Sequence, residues 1–140
     1  MNNFFKNIIV SILTIFISLS IFSQEVKFVT EVGVRKAGIT DRFYVTYKSN
    51  KSGQFIRPKF KSFKILSAVS RGENSSISIY NGKQSVTKEY SFQMIVQPTK
   101  LGKQTIEGAK IKIGGKTYTS NPVTIEVVKE SQAKPQPKRR

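Results

Sequence analysis

The chain has 140 residues, with 24 Lys and Arg against 8 Asp and Glu, and a formal net charge of +16. It contains no Cys, no His and no Trp. One main domain fits this length, and the missing residue types exclude a thiol nucleophile, a Ser-His-Asp triad, a Cys/His zinc site and a disulfide. A hydrophobic share of 38% with 23% charged residues suits a globular domain better than a disordered chain.

Residues 1–23 read as a secretory signal. Lys6 supplies a short positive region, and Ile8 to Phe22 is apolar apart from Ser and Thr. Ser20 and Ser23 are small enough for cleavage, which places Gln24 first in the exported chain. The alternative is an uncleaved anchor, although the run falls short of the roughly 20 residues of a spanning helix. No second apolar run follows, so no transmembrane helix is expected in the mature chain. An exported chain without Cys must rely on a packed core, even in a compartment that permits disulfides.

From residue 24 the pattern has period two. Phe43, Val45 and Tyr47 share one face, and Arg42, Tyr44, Thr46 and Lys48 the other. Val86, Tyr90, Phe92, Met94 and Val96 alternate with Thr87, Glu89, Ser91, Gln93 and Gln97, with Ile95 as the apolar exception on the polar side. Val123, Ile125 and Val127 alternate with Thr124 and Glu126. Such alternation marks half-buried antiparallel strands. The spacing predicts about seven strands, near 25–34, 41–49, 63–70, 74–80, 83–97, 103–113 and 116–128. The last two are expected to break at Gly108 and near Pro122.

Two turns set register. Asn81-Gly82 suits a type I′ hairpin, which places Ile77 opposite Val86. Gly114-Gly115 does the same for Ile111 and Tyr118. About seven short strands with turns between them predict an immunoglobulin-like, fibronectin-type antiparallel β-sandwich over residues 24–130, without a disulfide. Residues 131–140, with Pro135, Pro137 and four basic residues, read as an extended basic tail or linker.

Little in the chain points to catalysis. The eight acidic residues form no paired-carboxylate or calcium-loop spacing. Gly114-Gly115-Lys116-Thr117 lacks the earlier Gly of a phosphate loop and sits in a hairpin. No enzyme activity, metal or cofactor is expected. The densest basic-aromatic segment runs from Phe55 to Lys64. Its cations, Arg57, Lys59, Lys61 and Lys64, are candidate contacts to a partner or to an anion such as acidic polysaccharide or lipid headgroups. Nucleic acid is not expected as a ligand of an exported chain. The simpler reading turns Phe60 and Phe63 into the core and leaves the cations in water.

A longer stretch is more distinctive. Tyr90 to Gly102 contains Gln97-Pro98-Thr99-Lys100-Leu101-Gly102, and Lys116-Thr117-Tyr118-Thr119-Ser120-Asn121-Pro122-Val123 follows. With Asp41-Arg42-Phe43 and the Asn81-Gly82 turn, these segments resemble the first domain of the BatD family, the oxygen-tolerance (Bacteroides aerotolerance) proteins. The resemblance covers about residues 24–129. It implies a cell-envelope protein with tandem β-sandwich domains facing the periplasm and a C-terminal membrane helix. It also implies partners with von Willebrand A and tetratricopeptide domains. No catalytic residue carries over. One sandwich domain is seen here, so the chain reads as a truncated or short form. The residues themselves explain the shared motifs structurally: Pro98 and Gly102 shape a turn, Thr99 can bond local backbone, and Ser120-Asn121-Pro122 reads as a bulge that re-aims the last strand. The expected function is an exported module that binds envelope proteins through a sheet edge or end loops. An anion-binding module is the alternative.

Overall fold

The computed structural model describes residues 24–132. The predicted signal (1–23) and the tail from residue 133 onward lie outside the described residues. The order is β1 (Phe28–Val32), β2 (Lys36–Gly38), β3 (Phe43–Ser49), β4 (Gln54–Ile56), β5 (Phe63–Ile65), β6 (Ser70–Tyr80), β7 (Lys83–Pro98), β8 (Gly102–Ile106), β9 (Lys110–Ile113), β10 (Lys116–Thr119) and β11 (Val123–Val128).

The fold is an all-β sandwich, as the alternation predicts. One layer is a five-stranded sheet ordered β1-β3-β7-β5, with β6 also paired to β7. Facing it are two three-stranded sheets, β10-β9-β4 and β2-β11-β8. Val45, Tyr47, Phe92, Met94 and Val96 from the first layer share one core with Phe55, Ile106, Ile111, Ile125 and Val127 from the second. Phe55 stacks on Phe92 with ring centroids 4.4 Å apart, and Tyr47 lies 5.6 Å from Phe55. Close aromatic packing of this kind adds to simple area burial.

Two features depart from the expected layout. The described residues form eleven strand segments rather than about seven: the predicted strands 103–113 and 116–128 each split in two where the chain changes sheets, and β2 and β4 lie where no strand is predicted. Gly108 separates β8 from β9, and Ser120 to Pro122 separate β10 from β11, near the expected breaks. Secondly, β2 pairs parallel with β11, so not every pairing is antiparallel. The chain switches sheets between β1 and β2 instead of turning back through a hairpin, and a crossing of that kind does not impose an antiparallel neighbour.

Both hairpin registers match expectation. Ile77 opposes Val86 and Ile111 opposes Tyr118. Asn81 and Gly82 have φ of 51° and 72°, the positive pair that a type I′ turn requires.

The shared motifs serve the fold. Pro98 is buried opposite Phe63, the Thr99 N–H donates to the Ser62 carbonyl at 2.9 Å, and Gln97 Nε2 reaches the Ile39 carbonyl at 3.5 Å. Thr99 thus bonds across to another segment through its backbone, not locally. Gly102 adopts φ 92° where β8 begins. Ser120 and Asn121 form a clamp between strands rather than a bulge within one. Ser120 Oγ accepts from the Ala109 N–H at 2.9 Å and lies 2.7 Å from Thr30 Oγ1, while Asn121 Oδ1 accepts from the Thr30 N–H at 3.0 Å. Ser131 and Gln132, at the start of the predicted tail, both donate to the Asp41 carboxylate.

Candidate functional site: a protruding β-hairpin arm

The strand β7 has 16 residues, but its pairing with β3 covers only Tyr90 to Val96. From Lys83 to Glu89 it continues with β6 alone. Every residue of β6 is exposed, and so is β7 up to Glu89. The result is a two-stranded arm that leaves the sandwich. It forms because Asn81-Gly82 closes a tight turn and the ladder between Ser70↔Gln93 and Tyr80↔Lys83 runs without interruption.

The two faces of the arm differ. Strand alternation puts Arg71, Glu73, Ser75, Ile77 and Ile79 on the same face as Phe92, Tyr90, Lys88, Val86 and Gln84. This is the core-facing side of β7, carried past the end of the opposing layer. Ile77 is 64% exposed, Ile79 74% and Val86 56%. Tyr80, at the turn, is 78% exposed. Four of the nine large hydrophobic residues exposed in the described chain therefore lie on this arm. Three of them, Ile77, Ile79 and Val86, share one face, and clustering of this kind, unlike scattered single residues, calls for a physical reason.

Charged contacts fix the root. Glu73 and Lys88 pair at 3.4 Å on the apolar face, and the Arg71 guanidinium sits 5.8 Å from the Phe92 ring centroid. On the other face Lys48 bridges Glu31 at 2.8 Å and Glu89 at 3.8 Å. Its ammonium is held above the ordinary lysine range chiefly by the hydrogen bond to Glu31. A shallow notch opens there, where β3 ends and β7 continues, lined by Lys48, Ser49, Asn50, Thr87 and Glu89 among others.

The predicted cations lie elsewhere. Arg57, Lys59 and Lys61 are exposed on the connection from β4 to β5, and Lys64 is exposed on β5 opposite Gln97. Phe63 is buried and Phe60 half-buried, 6.2 Å apart edge to face. The aromatic residues of this segment therefore turn toward the core. The Lys61 N–H donates to Glu107 Oε1 at 3.3 Å, which ties the segment to the opposite layer. Among the described residues no group of three or more Asp and Glu converges as a metal ligand set. No described helix is long and apolar enough to cross a membrane.

Sequence reasoning found the hairpin and its register but not its exposure. The available signal is length: the ladder opposite Ser70 to Tyr80 outruns the seven residues of β3.

Comparison with curated proteins gives no match, and neither does comparison with solved structures. The family model of the BatD DUF11-like domain matches residues 30–127, a span that includes both layers of the sandwich and the whole arm. That match covers most of the chain, and the chain belongs to the BatD family.

Proposed function

We propose that the chain is an exported, non-enzymatic module of the cell envelope that works by protein–protein binding, with the β6–β7 arm as its contact element. The observation that carries this reading is the apolar face of Ile77, Ile79 and Val86, which continues the core side of β7 with no layer above it among the described residues. An isolated two-stranded hairpin is marginal in water, and apolar side chains held out on one gain most when a partner covers them. The family resemblance nominates envelope proteins with von Willebrand A or tetratricopeptide domains as partners, and the periplasm as the compartment.

The test is affinity capture from envelope extracts with the tagged exported chain and with an Ile77→Ser, Ile79→Ser, Val86→Thr variant. The expected result is one or more envelope proteins enriched by the natural chain and lost with the variant. Equal recovery with both chains overturns the assignment to the arm.

A further inference from the structure

The arm has an open edge as well as an open face. Ile95 of β7 accepts from the Leu66 N–H and donates its own N–H to Ser67 Oγ, both on the β5–β6 side. Backbone groups alternate along a strand. Odd-numbered residues of β7 therefore bond toward β5 and β6, and their partners in β6 are the even-numbered residues, from Ser70↔Gln93 to Tyr80↔Lys83. Arg71, Glu73, Ser75, Ile77 and Ile79 thus turn N–H and C=O to the far side of β6, where no strand pairs among the described residues. Natural sheets guard such edges with Lys, Pro or a bulge, because an unguarded edge is a template for strand addition. From Asn74 to Tyr80 this edge carries no charge and no Pro, and its ladder to β7 has no bulge. That is unusual restraint in a chain with 24 basic residues among 140.

We infer that the outer edge of β6 pairs antiparallel with the same edge of a second copy of this chain, about a two-fold axis at Ser78. This rests on the reading of the arm as a binding element, and gives its edge a partner beside the envelope protein on its face. In this register Ser78 meets Ser78, Ile77 meets Ile79, and Ser76 meets Tyr80. Ile77 and Ile79, whose backbone groups point outward, face one another in both halves of the ladder, giving about four hydrogen bonds. Both isoleucine pairs fall on the apolar face and the serine pair on the polar face, and no charged residue stands opposite another. Other registers fit less well. An axis at Ile77 sets Ile79 against Ser75, and an axis at Ser75 sets Ile77 against Glu73 and Ile79 against Arg71.

The length of the arm leaves room for this pairing. The Asn81-Gly82 turn of each copy stops beside Asn74 and Ser75 of the other. That is short of Arg71, Gly72 and Glu73, which line a hollow with Ser52 and Gly53 at the root. The ends of β1 and β3 lie across β7, on the opposite side of the arm. The two roots, at Ser70, stand about 16 strand positions apart, or about 50 Å. Pairing merges two narrow apolar faces into one four-stranded face, with Ile77 and Ile79 of both copies side by side between the two Val86 side chains. It uses up the β6 edge of each copy, so the interface is isologous and closes as a dimer.

Sedimentation of the exported chain over a range of concentrations tests this, with Ser78→Lys and Ser78→Glu variants. Ser78 is exposed, on the face of the arm opposite Ile77, Ile79 and Val86, and melting curves confirm that the variants fold. The expected result is a concentration-dependent dimer, weakened about fivefold by either change alone, because the axis sets each new charge against its own copy. A mixture of the two variants should form a mixed dimer at natural strength or tighter, because opposite charges then meet at the axis. A chain that stays monomeric overturns the inference. So does a dimer that ignores both changes, or a mixture no tighter than its components. A monomer that still captures envelope proteins refutes the pairing and leaves the binding reading standing. A dimer that captures nothing does the reverse.

Discussion

The hydroxyls of Thr30 and Ser120 meet at 2.7 Å, both buried and 90 residues apart in sequence. This contact joins β1 of the first layer to the end of β10 in the second. Ser120 Oγ also accepts from the Ala109 N–H, so one hydroxyl serves two groups. Replacing Ser120 by Ala strands a buried backbone donor, and should cost about 1–3 kcal/mol. Thr30→Val should add less in that background than it costs alone. Urea denaturation of the two single variants and the double variant measures this coupling.

Gly108 should tolerate no side chain. A Cβ there would lie 2.0 Å from the Ser120 carbonyl oxygen, which is backbone and cannot swing aside. Gly108→Ala should destabilise by about 1–3 kcal/mol or more. Gly82→Ala meets no neighbour but keeps φ at 72°, and about 1 kcal/mol is expected from left-handed strain. Thermal melts of both variants give the ranking.

Tyr47 makes the alkaline limit of stability testable. Its side chain is fully buried, and its hydroxyl donates to the Glu107 carbonyl at 2.9 Å. Burial, with the Glu107 charge adding to it, pushes the phenol well above its ordinary value. The neutral form is therefore favoured in the folded state. Its contribution is complete below the unfolded value of about 10 and declines as pH rises above it. Tyr47→Phe should lower stability at neutral pH and flatten the loss above pH about 10. Denaturation midpoints from pH 7 to 11 check both signs.

The arm should be separable from the fold. Phe92→Ala removes a stacked core ring and should cost about 3–5 kcal/mol. The triple change at Ile77, Ile79 and Val86 should leave the sandwich's melting transition nearly unmoved, with each change worth about 0.5 kcal/mol or less. It should nevertheless abolish capture. Calorimetry beside the capture assay tests the separation.

Charge reversal at Lys59, Lys61 and Lys64 should not affect envelope capture, since these cations sit on a different part of the surface. Loss of capture in that triple variant, together with binding to anionic vesicles that weakens steeply with salt, would move the function to the basic segment.

Much of this structure is legible in the sequence where a residue type has a local mechanism. Asn81-Gly82 and Gly114-Gly115 supply positive φ, and the registers follow from them. The alternation in Phe43–Tyr47 and Phe92–Val96 identifies core faces. Less local features escape. Phe55 is buried between exposed Gln54 and Ile56, and a single apolar position makes no period. The Thr30–Ser120 clamp depends on contacts across the whole chain. The arm is hidden for a different reason: Ile77 opposite Val86 looks like any half-buried pair, because alternation shows which side chains share a face but not whether a layer lies above them.

The length of β7 carries a last consequence. Seven residues beyond the end of β3 correspond to about 23 Å of extended strand. Salt at physiological strength screens charge over about 8 Å. The tip therefore stands outside the electrostatic reach of a body that is strongly positive. A spacer of this kind allows so basic a chain to keep its solubility and still make short-range apolar contacts.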